Sequence, residues 1–359
     1  MQMRPVTVYD IAREANVSVA TVSRVLNNTA PVKKETRERI VALMHKYQFQ
    51  PNALARSLTR KETGMIGFIL PDITNPFFPE VLSGFDYEAR RLGYTYFLCD
   101  TISTNEENER LYDRQYERES QYLSLLMEKQ VDGIVMIGGR VDLAKPDPEL
   151  ARELEEVAKR VPVLLLNGSL PKTKLNRVSA DQKFGAELAV QHLIELGHRD
   201  IAVIGGYSKM TNTQQRLAGF RSAMKDAGLP VRKEWILTEG FSVPKGQEYA
   251  AQLLSAKRRP TAIFCMNDLL AIGALKAAHR AGIRVPEELS IVGYDDIPQA
   301  TYSIPELTTV SLMSQEIGRQ AARTLDKMIA GKKVPLFQSL MPELIVRETT
   351  ARVPGIAAD

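Results

Sequence analysis

The first fifty residues place apolar side chains at the spacing of short amphipathic helices. Thr7 can cap a first helix, residues 16–18 interrupt its pattern, and two further helices are predicted at about 19–27 and 34–47. The positions facing a common core are Val8, Ile11, Ala12, Ala15, Val22, Val25, Leu26, Ile40, Leu43, Met44 and Tyr47. The pattern therefore predicts a small all-α bundle whose first two helices are joined by a tight turn.

A short basic segment follows this bundle. Pro51 ends the preceding helix, Asn52 can cap a new one, and Leu54 and Leu58 form an apolar edge at i and i+4. An isolated helix of this length is marginal, so the segment can stay disordered until a partner holds it. Two interpretations stay open: a plain interdomain linker, or a hinge helix whose Leu58 wedges into a minor-groove base step.

From Gly64 onward, short apolar runs alternate with amphipathic helices, a pattern typical of parallel α/β domains. Several of these helices are followed by a glycine that can cap them in a left-handed conformation. The strand-like runs are 66–70, 94–99, 133–137, 163–166, 201–204, 262–265 and 289–292. Because this number is large for one doubly wound sheet, we expect two similar lobes with a cleft between them.

Composition narrows the class of protein. A chain of 359 residues with 44% hydrophobic and 25% charged residues suits one small and one larger globular domain. No apolar run reaches the length of a membrane span, and the first residues lack the apolar core of a signal peptide. Cys99 and Cys265 each lie in an apolar run and make neither a disulfide framework nor a zinc site. We therefore expect a cytoplasmic protein.

Charge separates the two parts of the chain. Residues 1–61 carry a formal charge of +7, whereas the remainder carries −3. A basic head on a slightly acidic body is the expected distribution when only the head contacts DNA phosphates. In such a bundle Arg24 can bind a guanine edge, Val19 and Ala20 can contact thymine methyl groups, and Thr21 and Ser23 can bind phosphates. A three-helix bundle that binds another protein is the alternative.

Polar side chains recur where the predicted strands of the body end. They include Asp72, Asn75, Asn167, Asn267 and Asp295. The carboxyl ends of strands are where open α/β sheets bind ligands. Carboxylates and amides that fix hydroxyl groups, together with nearby aromatic rings, favour a sugar, a nucleoside or another small polar ligand.

The motif from Val6 to Asn27, with Thr36-Arg37 and the segment from Pro51 to Leu58, resembles the DNA-binding signature of the LacI/GalR family. The resemblance continues to about residue 347. It implies a homodimer that reads a pseudo-palindromic operator, with paired hinge helices in the central minor groove. The DNA-binding residues it implies are Thr7, Tyr9, Ser18, Val19, Ala20, Thr21, Ser23, Arg24, Asn27, Asn52, Ala55 and Leu58.

The body resembles the family in motifs such as 75–78, 216–220 and 293–296. The resemblance implies a periplasmic-binding-protein-like fold of two lobes, with parallel sheets flanked by helices. The effector residues that it implies, together with those at strand ends, are Asp72, Asn75, Phe77, Phe78, Gln214, Arg216, Phe241, Asn267 and Asp295. The chain departs from the family in a longer charged segment at 105–120 and in Asn167-Gly168-Ser169, where many members carry Asp-Arg.

The expected domains follow from these patterns. They are a helix-turn-helix domain at 1–49, a hinge or linker at 50–63 and an effector-binding and dimerisation body at 64–359. Within the body, the first lobe is predicted at about 64–166 plus 312–336, and the second at about 167–311 plus 337–359.

Two other classes of protein compete with a regulator. An enzyme is disfavoured because the adjacent Asp295 and Asp296 lack a nucleophile–base constellation, and we identify no phosphate-loop, metal-ligand or cofactor signature. A solute-binding protein would share the two-lobed body, but the basic helical head argues against it. We therefore predict a transcriptional repressor whose affinity for its operator is controlled by a small polar effector. A sugar or sugar phosphate is favoured and a purine comes next, and no membrane partner is expected.

Overall fold

The computed structural model describes residues 6–27, 30–49, 63–102, 111–170 and 173–353. The chain divides into two compact units, residues 1–63 and 64–359. Residues 50–62 of the predicted hinge or linker, with Asn52, Ala55 and Leu58, lie outside the described residues, and so do the first part of the charged segment at 105–120 and the side chain of Asn27.

The first unit is the expected three-helix bundle. Its helices are α1 (Val8–Glu14), α2 (Val19–Asn27) and α3 (Lys34–Lys46). Thr7 begins α1 through a capping box, in which the Thr7 backbone N–H donates to the Asp10 carboxylate over 3.0 Å. Ile11, Val22 and Ile40, one from each helix, are fully buried. Apolar periodicity therefore predicted both the helices and their shared core.

The second unit contains eight further α-helices and twelve strands among the described residues. The helices are α4 (Phe77–Leu92), α5 (Leu111–Glu128), α6 (Pro148–Ala158), α7 (Gln182–Glu195), α8 (Thr211–Asp226), α9 (Val243–Leu254), α10 (Asp268–Arg280) and α11 (Ser314–Ile329). The strands are β1 (Met65–Leu70), β2 (Thr95–Asp100), β3 (Gly133–Ile137), β4 (Val163–Leu166), β5 (Asn176–Ala180), β6 (Ile201–Ile204), β7 (Ile236–Leu237), β8 (Ala262–Cys265), β9 (Ser290–Val292), β10 (Thr309–Ser311), β11 (Phe337–Leu340) and β12 (Glu343–Ile345).

These strands form two parallel sheets, one in each lobe. The first sheet has the order β11-β5-β4-β3-β1-β2, and the second has the order β7-β6-β8-β9. A separate antiparallel pair, β10 with β12, lies where the chain passes between the lobes. The strands β1, β3, β4, β6 and β8 are almost entirely buried, because helices cover both faces of each sheet.

Two of the lobe borders in the structure differ from the predicted ones. β5 pairs with β4, and β11 pairs with β5, so both strands belong to the first sheet although the predicted borders near 167 and 337 gave them to the second lobe. The reason is compositional: β5 reads NRVSA and β11 reads FQSL, and neither resembles the apolar runs from which β1–β4, β6, β8 and β9 were recognised. The first lobe therefore extends to about Ala180, and it ends again at about Leu340.

Among the described residues, the helices are each too short or too polar to cross a bilayer.

Candidate functional site

The second helix of the bundle presents a small exposed face. Ala20 and Arg24 are exposed on α2, whereas Val19, Thr21 and Ser23 are partly buried beside them. The Ser18 hydroxyl accepts a hydrogen bond from the Thr21 backbone N–H over 3.2 Å and therefore caps the helix. The start of α2 is thus capped, and its exposed side chains are accessible to a ligand.

Tyr9 and Thr7, two of the predicted DNA-binding residues at the start of α1, differ in how free their side chains are to contact a ligand. The Tyr9 side chain is 70% exposed and can reach a ligand. The Thr7 hydroxyl instead donates to the Asp10 carboxylate over 2.6 Å, because it belongs to the capping box. Glu14 ties α1 to α3 by accepting hydrogen bonds from Lys46 (2.8 Å) and Tyr47 (2.6 Å).

In the body, the residues predicted after β1 lie mostly in a helix-entry turn. The Asp72 carboxylate accepts from the Thr74 backbone N–H over 2.8 Å, and Asn75 accepts from the Phe77 backbone N–H over 3.2 Å. Phe77 is packed in the core with only 9% of its surface exposed, so its ring supports the lobe rather than a cleft surface. Phe78 packs edge-on against it and stays partly exposed.

Arg216 is the centre of the predicted effector site. From α8 its guanidinium donates to the Gln182 side-chain oxygen (3.0 Å), the Met266 carbonyl and Asp295 (3.3 Å). The same group stacks 4.0 Å from the centroid of the Tyr294 ring. These four contacts join residues that follow β5, β8 and β9, so Arg216 links the base of the second lobe to the passage between the lobes.

Asp295 is held in an unusual environment. It has a φ of +109°, a left-handed conformation that Asp tolerates better than most side chains, and it is 7% exposed. Burial raises the pKa of Asp295 to about 7, and the Arg216 guanidinium opposes that rise. The neighbouring Asp296 turns elsewhere and pairs with Arg347 at 2.7 Å, so the two adjacent carboxylates do not share a site.

Asn267 has a structural role beside Arg216 and Asp295. Its side-chain oxygen accepts from the Leu270 backbone N–H over 2.9 Å and caps α10, while its amide nitrogen donates to the Phe241 carbonyl over 3.0 Å. Asn267 therefore fixes the loop that carries the Phe241 ring, which packs 5.5 Å from the Tyr207 ring. Gln214 is exposed on α8, and its amide donates to the Ser208 carbonyl over 3.1 Å.

Asp142 is a polar residue of the cleft that sequence reasoning missed. Its carboxylate accepts from the Asn212 backbone N–H over 3.0 Å, which connects the first lobe to the start of α8 in the second. Met210, at the cap position of α8, makes no side-chain cap, so Asp142 caps this helix from the other lobe. Burial raises the pKa of Asp142 to about 7. Its place shortly after β3 was the available sequence signal.

Two buried amides add donors to the same region. The Asn167 oxygen accepts from the Ala180 backbone N–H over 2.9 Å, and the Gln182 oxygen accepts from Arg216, which fixes which end of each amide is the nitrogen. Among the described residues, neither amide nitrogen has a hydrogen-bond partner. A buried donor without a partner costs about 1–3 kcal/mol, so a ligand hydroxyl that accepts from either nitrogen would recover part of that cost.

The charge of this cleft favours a neutral ligand. The carboxyl groups of Asp142 and Asp295 are both buried there, and the guanidinium of Arg216 is already paired with Asp295. A phosphate group bound beside these residues would therefore face carboxyl groups and a guanidinium that is already paired. Hydroxyl groups can donate to the carboxylates and accept from the two amides.

Residues 7–52 match the family of bacterial regulatory proteins named lacI, and residues 190–350 match the periplasmic binding protein-like domain. The chain is 37% identical over 96% of its length to 98% of the HTH-type transcriptional regulator DegA of Bacillus subtilis (strain 168). It is 33% identical over 97% of its length to 99% of the HTH-type transcriptional repressor PurR of Vibrio parahaemolyticus serotype O3:K6.

Solved structures give the same relationship. The lac repressor dimer bound to operator and the anti-inducer ONPF aligns over 97% of this chain and all of that chain, with a TM-score of 0.84 and 28% identity. The complex of the transcriptional regulator CelR with cellobiose aligns over 96% of this chain and all of that chain, with a TM-score of 0.69 and 28% identity.

Proposed function

The chain belongs to the lacI family of bacterial regulatory proteins, and from that premise we propose that it is a transcriptional repressor controlled by a neutral carbohydrate in the cleft of its body. The observation that carries the proposal is the buried cluster of polar contacts in which Arg216 binds Gln182, the Met266 carbonyl and Asp295. It lies in a two-lobed body that is joined, within one chain, to a bundle with an exposed recognition helix. The effector is allosteric, because it acts through its different affinities for two lobe arrangements.

The effector class rests on the charge of the cleft. The buried carboxylates of Asp142 and Asp295 can accept hydrogen bonds from hydroxyl groups, and the amide nitrogens of Asn167 and Gln182 can donate to hydroxyl or ring oxygens. These groups favour a neutral sugar over a sugar phosphate. The relative CelR has been solved with cellobiose. A purine is the second candidate, supported by the Phe241 and Tyr207 rings.

The test is a ligand screen on the full-length chain. Neutral mono- and disaccharides, their phosphates and nucleobases are compared by thermal shift, and each hit is followed by calorimetry. We expect neutral sugars to bind and Asp295→Asn to weaken the best of them, while affinity for DNA is kept. Binding only by phosphorylated sugars, or only by nucleobases, would contradict the proposed effector class.

Assembly as a homodimer is supported by exposed apolar side chains on both lobes. Phe97 and Leu98 are exposed at the edge strand β2, and Tyr302 and Ile304 are exposed on the second lobe. A two-fold dimer would cover both patches and would present two recognition helices to a pseudo-palindromic operator. The relative lac repressor is a dimer in its operator complex.

Operator reading is assigned to α2. We predict that Arg24→Ala removes discrimination at one base position at a cost of about 1–3 kcal/mol, because its exposed guanidinium can bind a guanine edge bidentately. The measurement is competition binding against operators with each base substituted in turn. Arg39→Ala, an exposed arginine on α3, is the matched control. Equal losses on operator and random DNA for Arg24→Ala would refute base reading by this residue.

We infer that the chain catalyses no reaction and acts in the cytoplasm. Asp295 and Asp296 point to different partners, Arg216 and Arg347, and so form no acid–base pair. The relatives named above are transcription regulators. A protein that controls operators must meet the bacterial chromosome, which lies in the cytoplasm.

A further inference from the structure

A basic depression of about 450 Å³ lies on the first lobe, away from the cleft. Four of its eleven lining residues are cations, namely Lys159, Arg160, Lys332 and Lys333, and its lining contains no carboxylate. We call this surface the basic groove. It is unexpected on a body whose net charge is negative.

The basic groove lies at the amino-terminal edge of the first sheet. Its residues immediately precede β4 and include Asn176, the first residue of β5. Gly64, where the chain enters the body, is held at the same edge, because its backbone N–H donates to Asp132 over 2.6 Å. β1 and β4 lie on either side of β3, so their starts are separated by about two strand spacings, or about 10 Å.

Ordinary structural roles explain only part of this charge. Lys159 pairs with Glu156 at 2.5 Å, and both Lys159 and Arg160 follow the end of α6, where a cation stabilises the helix dipole. Lys332 and Lys333 lie beyond Gly331, whose positive φ of +67° follows the end of α11. Among the residues that the structure describes, neither lysine forms an ion pair.

We propose that the basic groove binds the phosphate backbone of duplex DNA beside the segment read by the helical bundle. The body separates its charge in the way this requires, since Asp72 and Asp142 follow β1 and β3, and Asp100 ends β2, at the opposite, cleft-side edge of the same sheet. A polyanion is therefore attracted to the edge at which the chain enters the body. Contacts of this kind add affinity and salt dependence but read no sequence.

The test compares two charge-reversal pairs in the full-length chain. Lys332→Glu/Lys333→Glu alters the basic groove, and Lys276→Glu/Arg280→Glu makes the same change of charge on exposed positions of α10 in the second lobe. Binding to a labelled mixed-sequence duplex of about 40 base pairs is measured by anisotropy between about 50 and 200 mM KCl, because each phosphate contact contributes about 0.9 to the slope of log K against log salt.

We expect the double variant Lys332→Glu/Lys333→Glu to reduce the slope of log K against log salt by about 2 for each protomer on the DNA. The control variant Lys276→Glu/Arg280→Glu should leave that slope unchanged. If the reversal unfolds the protein, Lys332→Gln/Lys333→Gln provides the same comparison with a smaller change of charge. Equal slopes for all variants, or equal reductions by both pairs, would overturn the proposal. A wild-type chain that binds no duplex would instead contradict the proposed regulatory function itself.

Discussion

Replacing Arg216 by methionine is expected to lower the free energy of unfolding by about 3–5 kcal/mol and to abolish the response to the effector. The side chains of Arg216 and Asp295 are each 8% exposed, so the substitution leaves a buried carboxylate without its cation. It also removes the donors to Gln182 and Met266, which position the floor of the cleft. Urea unfolding measures the loss, and calorimetry with the sugar identified by the screen measures the response.

The double variant Arg216→Met/Asp295→Asn is the control for this prediction. Asn tolerates the positive φ at position 295, and it removes the uncompensated charge, so most of the stability should return while effector binding stays lost. If the double variant is no more stable than Arg216→Met, the buried ion pair is not the cause of the loss.

The loss in Arg216→Met should also depend on pH. Burial raises the pKa of Asp295 to about 7, above the value of about 4 for an unfolded Asp, so this carboxyl destabilises the folded chain as pH rises between those values. Without Arg216 the folded pKa is higher still, and the destabilisation continues above pH 7. The difference from wild type should therefore be larger at about pH 8.5 than at about pH 5.5.

Introducing a charge at Ile304 is expected to convert the dimer to monomers. Ile304 is 98% exposed and Tyr302 is 74% exposed in the single chain. Burying an isoleucine stabilises an interface by about 1.5–3 kcal/mol. In a two-fold dimer the same residue of both protomers is buried, so the contribution occurs twice. Ile304→Asp should therefore raise the dimer dissociation constant by about 10²–10⁴-fold, as measured by sedimentation. Operator affinity should fall with it, because a monomer places only one recognition helix.

Leu125→Asp is the matched control for this substitution. Leu125 is 42% exposed on α5 of the first lobe, so it tests the effect of a new surface charge as such. The control should remain dimeric. If Ile304→Asp also remains dimeric at micromolar concentration, the exposed patch on the second lobe does not form the dimer interface.

Periodicity alone predicted the bundle, because each of its helices buries one apolar stripe, as Ile11, Val22 and Ile40 illustrate. The apolar strands β1–β4, β6, β8 and β9 were predictable, whereas β5 and β11 escaped because their sequences are more polar, and the very short strands β7, β10 and β12 were not predicted either. The lobe borders therefore depended on pairing partners far apart in the chain, such as Phe337 with Arg177. Local sequence does not encode such partners.

The site was predictable to a similar extent. The position proposed for it follows from the rule that parallel strands bind ligands at their carboxyl ends, and the structure brings Arg216 and Asp295 together at such ends. The individual role of each residue was not predictable, because an Asn that caps a helix and an Asn whose amide nitrogen is free to donate look the same in sequence. Asn267 is the first kind and Asn167 the second. Asp142 required the contact between lobes to be seen.

The central claim is that one chain reads an operator and that a ligand in its cleft sets how tightly it does so. Genomic fragments selected by the full-length protein test it most directly, with the affinity of each recovered site measured with and without the sugar found in the screen. We predict a recovered pseudo-palindrome whose affinity changes at least about fivefold with the sugar. Recovery of fragments that bind no better than scrambled DNA, with or without that sugar, would contradict the claim.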